Sequence, residues 1–144
     1  MNLTSEHILG QKIGEGKKQL LIAIASIHGN EPAGVKAIER VFKVLINSDK
    51  NFKGAFIGMA GNLLAIRHNK RYLKTDLNRI WTESDLEIAD SIDSAIEFPD
   101  HFQLKTLKKT IDYYLNLGYE KVCIVDLHTT SANGGVFIVC PDNE

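Results

Sequence analysis

Three side chains in this sequence have the types and the placement to hold a metal ion: His28 and Glu31 in "IASIHGNEPAG", and His128 at the end of "EKVCIVDLH". Two neutral imidazoles and one carboxylate can bind zinc and still leave a position for water or a substrate carbonyl. Their spacing along the chain does not bring His128 to the other two, so the fold must do it. Taken singly, each has a plainer role. His28 fits a polar junction, Glu31 a helix start where a carboxylate meets free amides, and His128 a hydrogen-bonded strand end. Their shared position after buried, strand-like runs is what favours a joint site. Asp126, two residues before His128 on the same side of its strand, is placed to orient that histidine rather than to act as a ligand.

A second polar constellation is "RHNKRYLKTDLNR", residues 67–79. Arg71, Asn78 and Arg79 are planar, directional donors suited to a carboxylate and to the oxygen that becomes negative when a carbonyl is attacked. Arg67, Lys70 and Lys74 broaden the basic surface, and the plainer reading is a solvated basic loop balanced by Asp76. Other chemistries fit poorly. Thr129, Thr130 and Ser131 suit a bend better than the strained serine setting of a hydrolase elbow. The segment "GQKIGEGKK" has the wrong spacing for a phosphate-binding loop and precedes its strand. His7, His68 and His101 read as surface or locally hydrogen-bonded histidines.

The elements that must position these residues alternate between strand and helix. "HILGQKIGEGKKQLLIAIAS" reads as two strands around the "GEGKK" turn, the second more buried. A helix follows His28, with Pro32 in its first turn and Val35, Ile38, Val41, Phe42 and Leu45 on one face. "AFIGMAGN" is a further strand, and residues 65–79 form a long loop with short helical pieces. Ser84 and Glu87 suggest a capping box for a helix with Leu86, Ala89, Ile92 and Ile96 along its stripe, stopped by Pro99. Another helix spans Phe102 to Leu117, packing through Leu104, Leu107, Ile111, Tyr114 and Leu115, with Gly118 at its end. "EKVCIVDLH" is then a buried strand and "GGVFIVC" one more. Such alternation predicts an α/β architecture with a partly parallel sheet, whose strand ends collect on one edge.

The chain has 144 residues, 44% hydrophobic and 24% charged, which suits one soluble domain. Its formal charge of −1 gives no global attraction to nucleic acid. No run reaches the roughly 20 apolar residues that cross a bilayer, and the start lacks a signal-peptide core, so a cytoplasmic protein without a membrane partner is expected. Cys123 and Cys140 lack metal-binding spacing and read as buried free thiols.

Taken as an ordered set, "HGNE" at 28–31, "GNLLAIRHNKRYLKTDLNR" at 61–79 and "DLHTTS" at 126–131 resemble the succinylglutamate desuccinylase and aspartoacylase family of zinc carboxypeptidase-like hydrolases. The resemblance implies a three-layer α/β/α fold with a mixed, partly parallel sheet, truncated here, so that residues 1–144 are the amino-terminal part of a zinc-dependent amidohydrolase domain. It implies that His28, Glu31 and His128 bind Zn2+, that Arg71 polarises the scissile carbonyl, and that Asn78 and Arg79 bind a carboxylate of a small anionic substrate. The family cleaves an amide between an acyl group and an amino acid or related amine, using a metal-activated water and a separate glutamate that moves the proton. That glutamate belongs to a later segment, and Glu144 has no matching context. Leu63 stands where family members often have proline. A non-catalytic domain that binds ligand through the same metal pocket is the competing expectation.

Overall fold

The computed structural model describes residues 5–48, 52–129 and 138–139. Strand β1 (Ile8–Ile13) is followed after Gly14 by the long β2 (Glu15–Ala25), helix α1 (Ala33–Ile46) and strand β3 (Lys53–Ala60). The short α2 (Leu63–Arg67) and a 3₁₀ turn at Leu77–Arg79 lie in the polar segment, and α3 (Glu83–Ser91), α4 (Pro99–Leu115) and β4 (Lys121–Leu127) complete the described order. The sheet runs β1-β3-β2-β4. β2 lies parallel to both β3 and β4, whereas β1 is antiparallel to β3. The mixed sheet between helical layers is the expected three-layer α/β/α arrangement.

Side chains alternate across the pleat and so build two cores. Leu20, Ile22 and Ile24 of β2, with Ala55, Ile57 and Met59 of β3, face one side and pack with Leu104, Leu107, Ile111 and Tyr114 of α4. Ala23, Ala25 and Phe56 face the other side and pack with Ile38 and Phe42 of α1. Helix α1 sits close to the sheet because position 58 is glycine, where a Cβ would lie 2.3 Å from the Ile38 Cγ2.

Several elements differ from the sequence expectation in instructive ways. β1 and β2 flank β3 instead of pairing with each other, and the turn between them is at Gly14, with "GKK" already inside β2. Val41 is 45% exposed, so the buried stripe of α1 is narrower than its apolar pattern. The cap of α3 is Thr82, whose hydroxyl accepts from the Asp85 amide (3.2 Å), and not Ser84. That helix ends at Ser91, leaving Ile96 outside it, and Pro99 opens α4 where it was expected only to stop α3. Proline suits a first helical position because no amide hydrogen is needed there. β4 is at the edge of the described sheet, with Val122, Ile124 and Cys123 exposed, contrary to the expected buried strand and buried thiol. The expected strand at "GGVFIVC", with Cys140, lies outside the described residues apart from Ile138 and Val139. No helix of the described residues is long and apolar enough to cross a membrane.

His7 ties the start of β1 to the rest of the fold. It is buried, with Nδ1 2.8 Å from the Ala60 carbonyl and Nε2 2.8 Å from the Thr106 hydroxyl. A carbonyl only accepts, so Nδ1 carries the hydrogen and Nε2 accepts from Thr106. Burial pushes the His7 pKa below the ordinary 6.5, against the pull of the Ala60 and Gly61 backbone and of Glu6. As pH falls below 6.5 the unfolded chain takes up a proton that the folded chain refuses, so the stability from neutral His7 is lost on acidification. Urea unfolding between about pH 7.5 and about pH 5.5 should show this decline, and His7→Gln should flatten it. Equal pH slopes for the two proteins would refute the assignment.

Candidate metal centre

The parallel strands deliver the chain to one edge of the sheet in register. Ala25 at the end of β2 is paired with Ala60 of β3 on one side and with Leu127 of β4 on the other. His28 and Glu31 follow β2, Asn62 follows β3 and His128 follows β4. One ligand atom from each of His28, Glu31 and His128 lies within 4.8 Å of the others. The two imidazole rings are 4.9 Å apart, tilted by 54°. The structure thus brings together the three residues singled out from the sequence.

Their orientation is specific. His28 turns Nδ1 to Glu31 Oε1 (3.0 Å) and Nε2 to Asp76 Oδ1 (3.0 Å). His128 does the same, with Nδ1 3.4 Å from Glu31 Oε2 and Nε2 2.6 Å from Asp126 Oδ2. A carboxylate only accepts and a neutral ring has one hydrogen, so the tautomer that suits metal binding places it on Nε2, towards Asp76 or Asp126. In a neutral ring the Nδ1 lone pair then faces a Glu31 oxygen with nothing between them. Two such lone pairs and a carboxylate converging on one point form a donor set for a cation. The three carboxylates of Glu31, Asp76 and Asp126, set against one Arg71 guanidinium, supply the sign of charge that a dication requires. Two imidazoles and a carboxylate also match zinc's usual donors, so the residues fit the ion.

Glu31 does not cap α1. Its Oε2 accepts from the Thr129 amide (2.7 Å) and its Oε1 faces Arg71 at 3.4 Å, while the residue at the helix N-cap, Pro32, has no side-chain bond to offer. Burial alone would push the Glu31 carboxyl up, but the Thr129 amide and the two histidines hold it below the ordinary carboxylate range. Asp76 is depressed for similar reasons: burial opposes it, and the Asn78 amide, His28 and Arg71 prevail. At Asp126, whose side chain stays 35% exposed, partial desolvation raises the carboxyl against the attraction of His128.

The second constellation is fastened to the first. The Gly29 amide donates to the Arg71 carbonyl (3.1 Å), and a Cβ at Gly29 would lie 2.2 Å from the Ala65 carbonyl carbon, so only glycine permits this approach. The Arg71 guanidinium lies between Glu31 and Asp76 (Nε to Oδ2 3.6 Å) and is half exposed. Asn78 and Arg79, on the 3₁₀ turn, are exposed, and among the described residues no hydrogen bond or ion pair joins their side chains to the three-residue cluster. Asp76 caps that turn by accepting from the Asn78 amide (3.0 Å). Arg67 pairs with Glu6 at the surface and Lys74 donates to the Glu97 carbonyl, which removes both from the basic group near the cluster.

Sequence reading missed the residue that shapes this loop. Asp100, in the first turn of α4, is almost wholly buried, and its carboxylate accepts from the amides of Leu73 (3.1 Å), Lys74 (2.7 Å) and Thr75 (3.0 Å) and from Asn62 Nδ2 (2.7 Å). Asn62 in turn accepts from the Ala65 amide with its Oδ1 (3.0 Å). The only sequence signal for Asp100 was an acidic residue beside Pro99 at a helix start.

The sequence model of the family described as succinylglutamate desuccinylase/aspartoacylase catalytic domain matches residues 16–143. A succinylglutamate desuccinylase of Serratia proteamaculans is 34% identical over 77 residues, covering 54% of this chain and 24% of that protein. A probable aspartoacylase of Prochlorococcus marinus is 32% identical over 123 residues, covering 85% of this chain and 37% of that protein. The chain therefore matches only about a quarter to a third of the length of these relatives. The crystal structure of a succinylglutamate desuccinylase from Chromobacterium violaceum superposes with a TM-score of 0.59 at 22% identity, over 79% of this chain and 34% of that one, a likeness of fold.

Two substitutions test the supporting carboxylates. Asp76→Asn keeps the shape but weakens the acceptor that makes His28 a stronger donor, and zinc affinity by chelator competition should fall roughly 10- to 100-fold. Wild-type affinity would show that His28 does not depend on Asp76. Asp100→Asn turns an NH2 group towards backbone amides and should cost about 3 kcal/mol in urea unfolding. A loss within experimental error would mean that the loop is held by other contacts.

Proposed function

The chain belongs to the succinylglutamate desuccinylase/aspartoacylase catalytic family, and from that premise we propose that it is the amino-terminal part of a zinc-dependent hydrolase domain that cleaves the amide of a small N-acyl amino acid or related carboxylated compound. The observation that carries the reading is the convergence of His28, Glu31 and His128, with both Nδ1 atoms turned to one carboxylate. These three would hold the ion. Bound there, zinc would supply Lewis acidity, polarising a carbonyl oxygen and making a water more acidic.

The remaining roles fall to residues of the chain itself. Arg71 is adjacent to Glu31 and half exposed, a position from which its guanidinium can donate to a substrate carbonyl oxygen as negative charge develops there. Asn78 and Arg79 present an amide and a guanidinium at the surface of the same loop, suited to a substrate carboxylate. Asp76 and Asp126 hold the imidazoles in the tautomer that leaves Nδ1 able to donate its lone pair. No residue between 1 and 144 is assigned the proton-transferring role. Among the described residues Glu31 is the glutamate of the cluster, and a ligand cannot also serve as a free base. A second reading, a metal-dependent ligand-binding module without turnover, draws on the same His28, Glu31 and His128 cluster.

Hydrolysis of N-succinylglutamate and N-acetylaspartate by this chain joined to a segment that supplies the proton-transferring glutamate, with metal content measured alongside, separates the two readings. Turnover that dies with chelation and returns with zinc supports the hydrolase; metal binding without turnover supports the binding module. His128→Ala should weaken zinc binding by at least roughly 100-fold, since one of three ligands is lost. Arg79→Ala should weaken binding of carboxylated compounds and leave neutral amide analogues unaffected. Undiminished zinc affinity in His128→Ala would sink the ligand assignment.

A further inference from the structure

We propose that Ser26 is a positioning residue for the metal centre: its left-handed backbone and its hydroxyl together set the path by which His28 and Glu31 leave β2. Ser26 is the first residue beyond β2 and is buried, yet its φ is +56°, a conformation that favours glycine. The turn reverses the side-chain alternation of the strand. Ile27 enters the core beside Ile24, and His28 comes out facing Glu31 and Asp76.

The hydroxyl explains why serine can stand there. Ser26 Oγ donates to the Glu31 carbonyl at 2.8 Å, closing a loop from residue 26 to residue 31 around the two proposed ligands. Within that loop the Glu31 amide donates to the His28 carbonyl (3.0 Å). Ser26 also joins the loop to the neighbouring strand. Its carbonyl accepts from the Asn62 amide (3.0 Å), one residue after Ala25 accepts from Gly61 (2.7 Å). Asn62 is the partner of Asp100. One side chain thus ties the ligand-bearing turn to its own helix start, and one carbonyl ties it to the residues that hold the Arg71 loop. Glycine could adopt the same φ with less strain, but it would leave the Glu31 carbonyl without this donor and the turn free to splay.

This inference rests on the reading of His28, Glu31 and His128 as metal ligands. The experiment measures zinc affinity by chelator competition, together with urea unfolding of the metal-free full chain, for the wild type, Ser26→Gly and Ser26→Ala. Both variants lose the hydroxyl, but glycine relieves the strained φ and alanine keeps it, so their metal-free stabilities should differ. If Ser26 positions the ligands, both should bind zinc roughly 10-fold more weakly than the wild type, irrespective of that difference. Wild-type affinity in Ser26→Gly overturns the proposal, as do affinities that simply follow the two stabilities. A wild-type chain that binds no zinc is a different result: it removes the metal-site reading itself, and the positioning role with it.

Discussion

The site depends on the in-register parallel pairing of three strands at Ala25. Parallel neighbours lie roughly 4.8 Å apart in the hydrogen-bonding direction. Ala25 therefore holds Ala60 and Leu127 at fixed lateral distances, and the chain segments that follow them leave from adjacent points on one edge. His28 with Glu31, Asn62, and His128 are consequences of that alignment. A shift of one residue in β4 would turn His128 and Asp126 to the opposite face together, because both lie on one side of the strand. The apolar content of β2 and β3, whose alternate side chains feed the two helical layers, is what makes the register costly to change.

A parallel edge delivers only backbones. A second constraint, electrostatic in kind, arranges the side chains around them. Asp100 is a buried charge whose four donors come from the end of β3 and from the loop after α2. A buried carboxylate is tolerable only if such donors converge on it, so the loop backbone at 73–75 has little choice of path. That path brings Arg71 back against Gly29 and Asp76 against His28. The chain thereby couples α4 to the candidate metal cluster through this loop. The three acidic groups nearest the histidines then differ in environment: Glu31 and Asp76 are held ionised by amides and cations, while Asp126 is pulled towards its neutral form by partial desolvation.

How much of this was legible in the sequence follows from where each signal resides. The His28, Glu31 and His128 cluster could be read because its residue types are chemically rare together and each follows an apolar strand. Helix α1 could be read from Ile38 and Phe42, four apart. Asp76 was read as a counter-charge for the basic loop, and it does face Arg71, but its second partner, His28, is 48 residues away and was not foreseen. Asp100 was invisible because three of its four donors are backbone amides, which every sequence possesses. Thr82 and Ser84 offer overlapping capping patterns with Asp85 and Glu87, and only the geometry of the turn decides between them. Ser26 carries its information in a backbone angle, which a serine does not advertise.

Arg71 shows how the two constraints meet. Its backbone is fixed by Gly29 and its guanidinium is held loosely, at 3.4 Å from Glu31 and 3.6 Å from Asp76, with about half of the side chain in solvent. Ion pairs this exposed contribute little to stability, so the fold loses little when a guanidinium donor turns away to another acceptor. A group that stabilised the fold strongly through these pairs could not be redirected at low cost. The buried members of the site, His28 and Glu31, have the opposite character: close contacts to several partners and almost no solvent. The result is a buried, closely bonded donor set beneath a more loosely held guanidinium, the arrangement the proposed metal site would require.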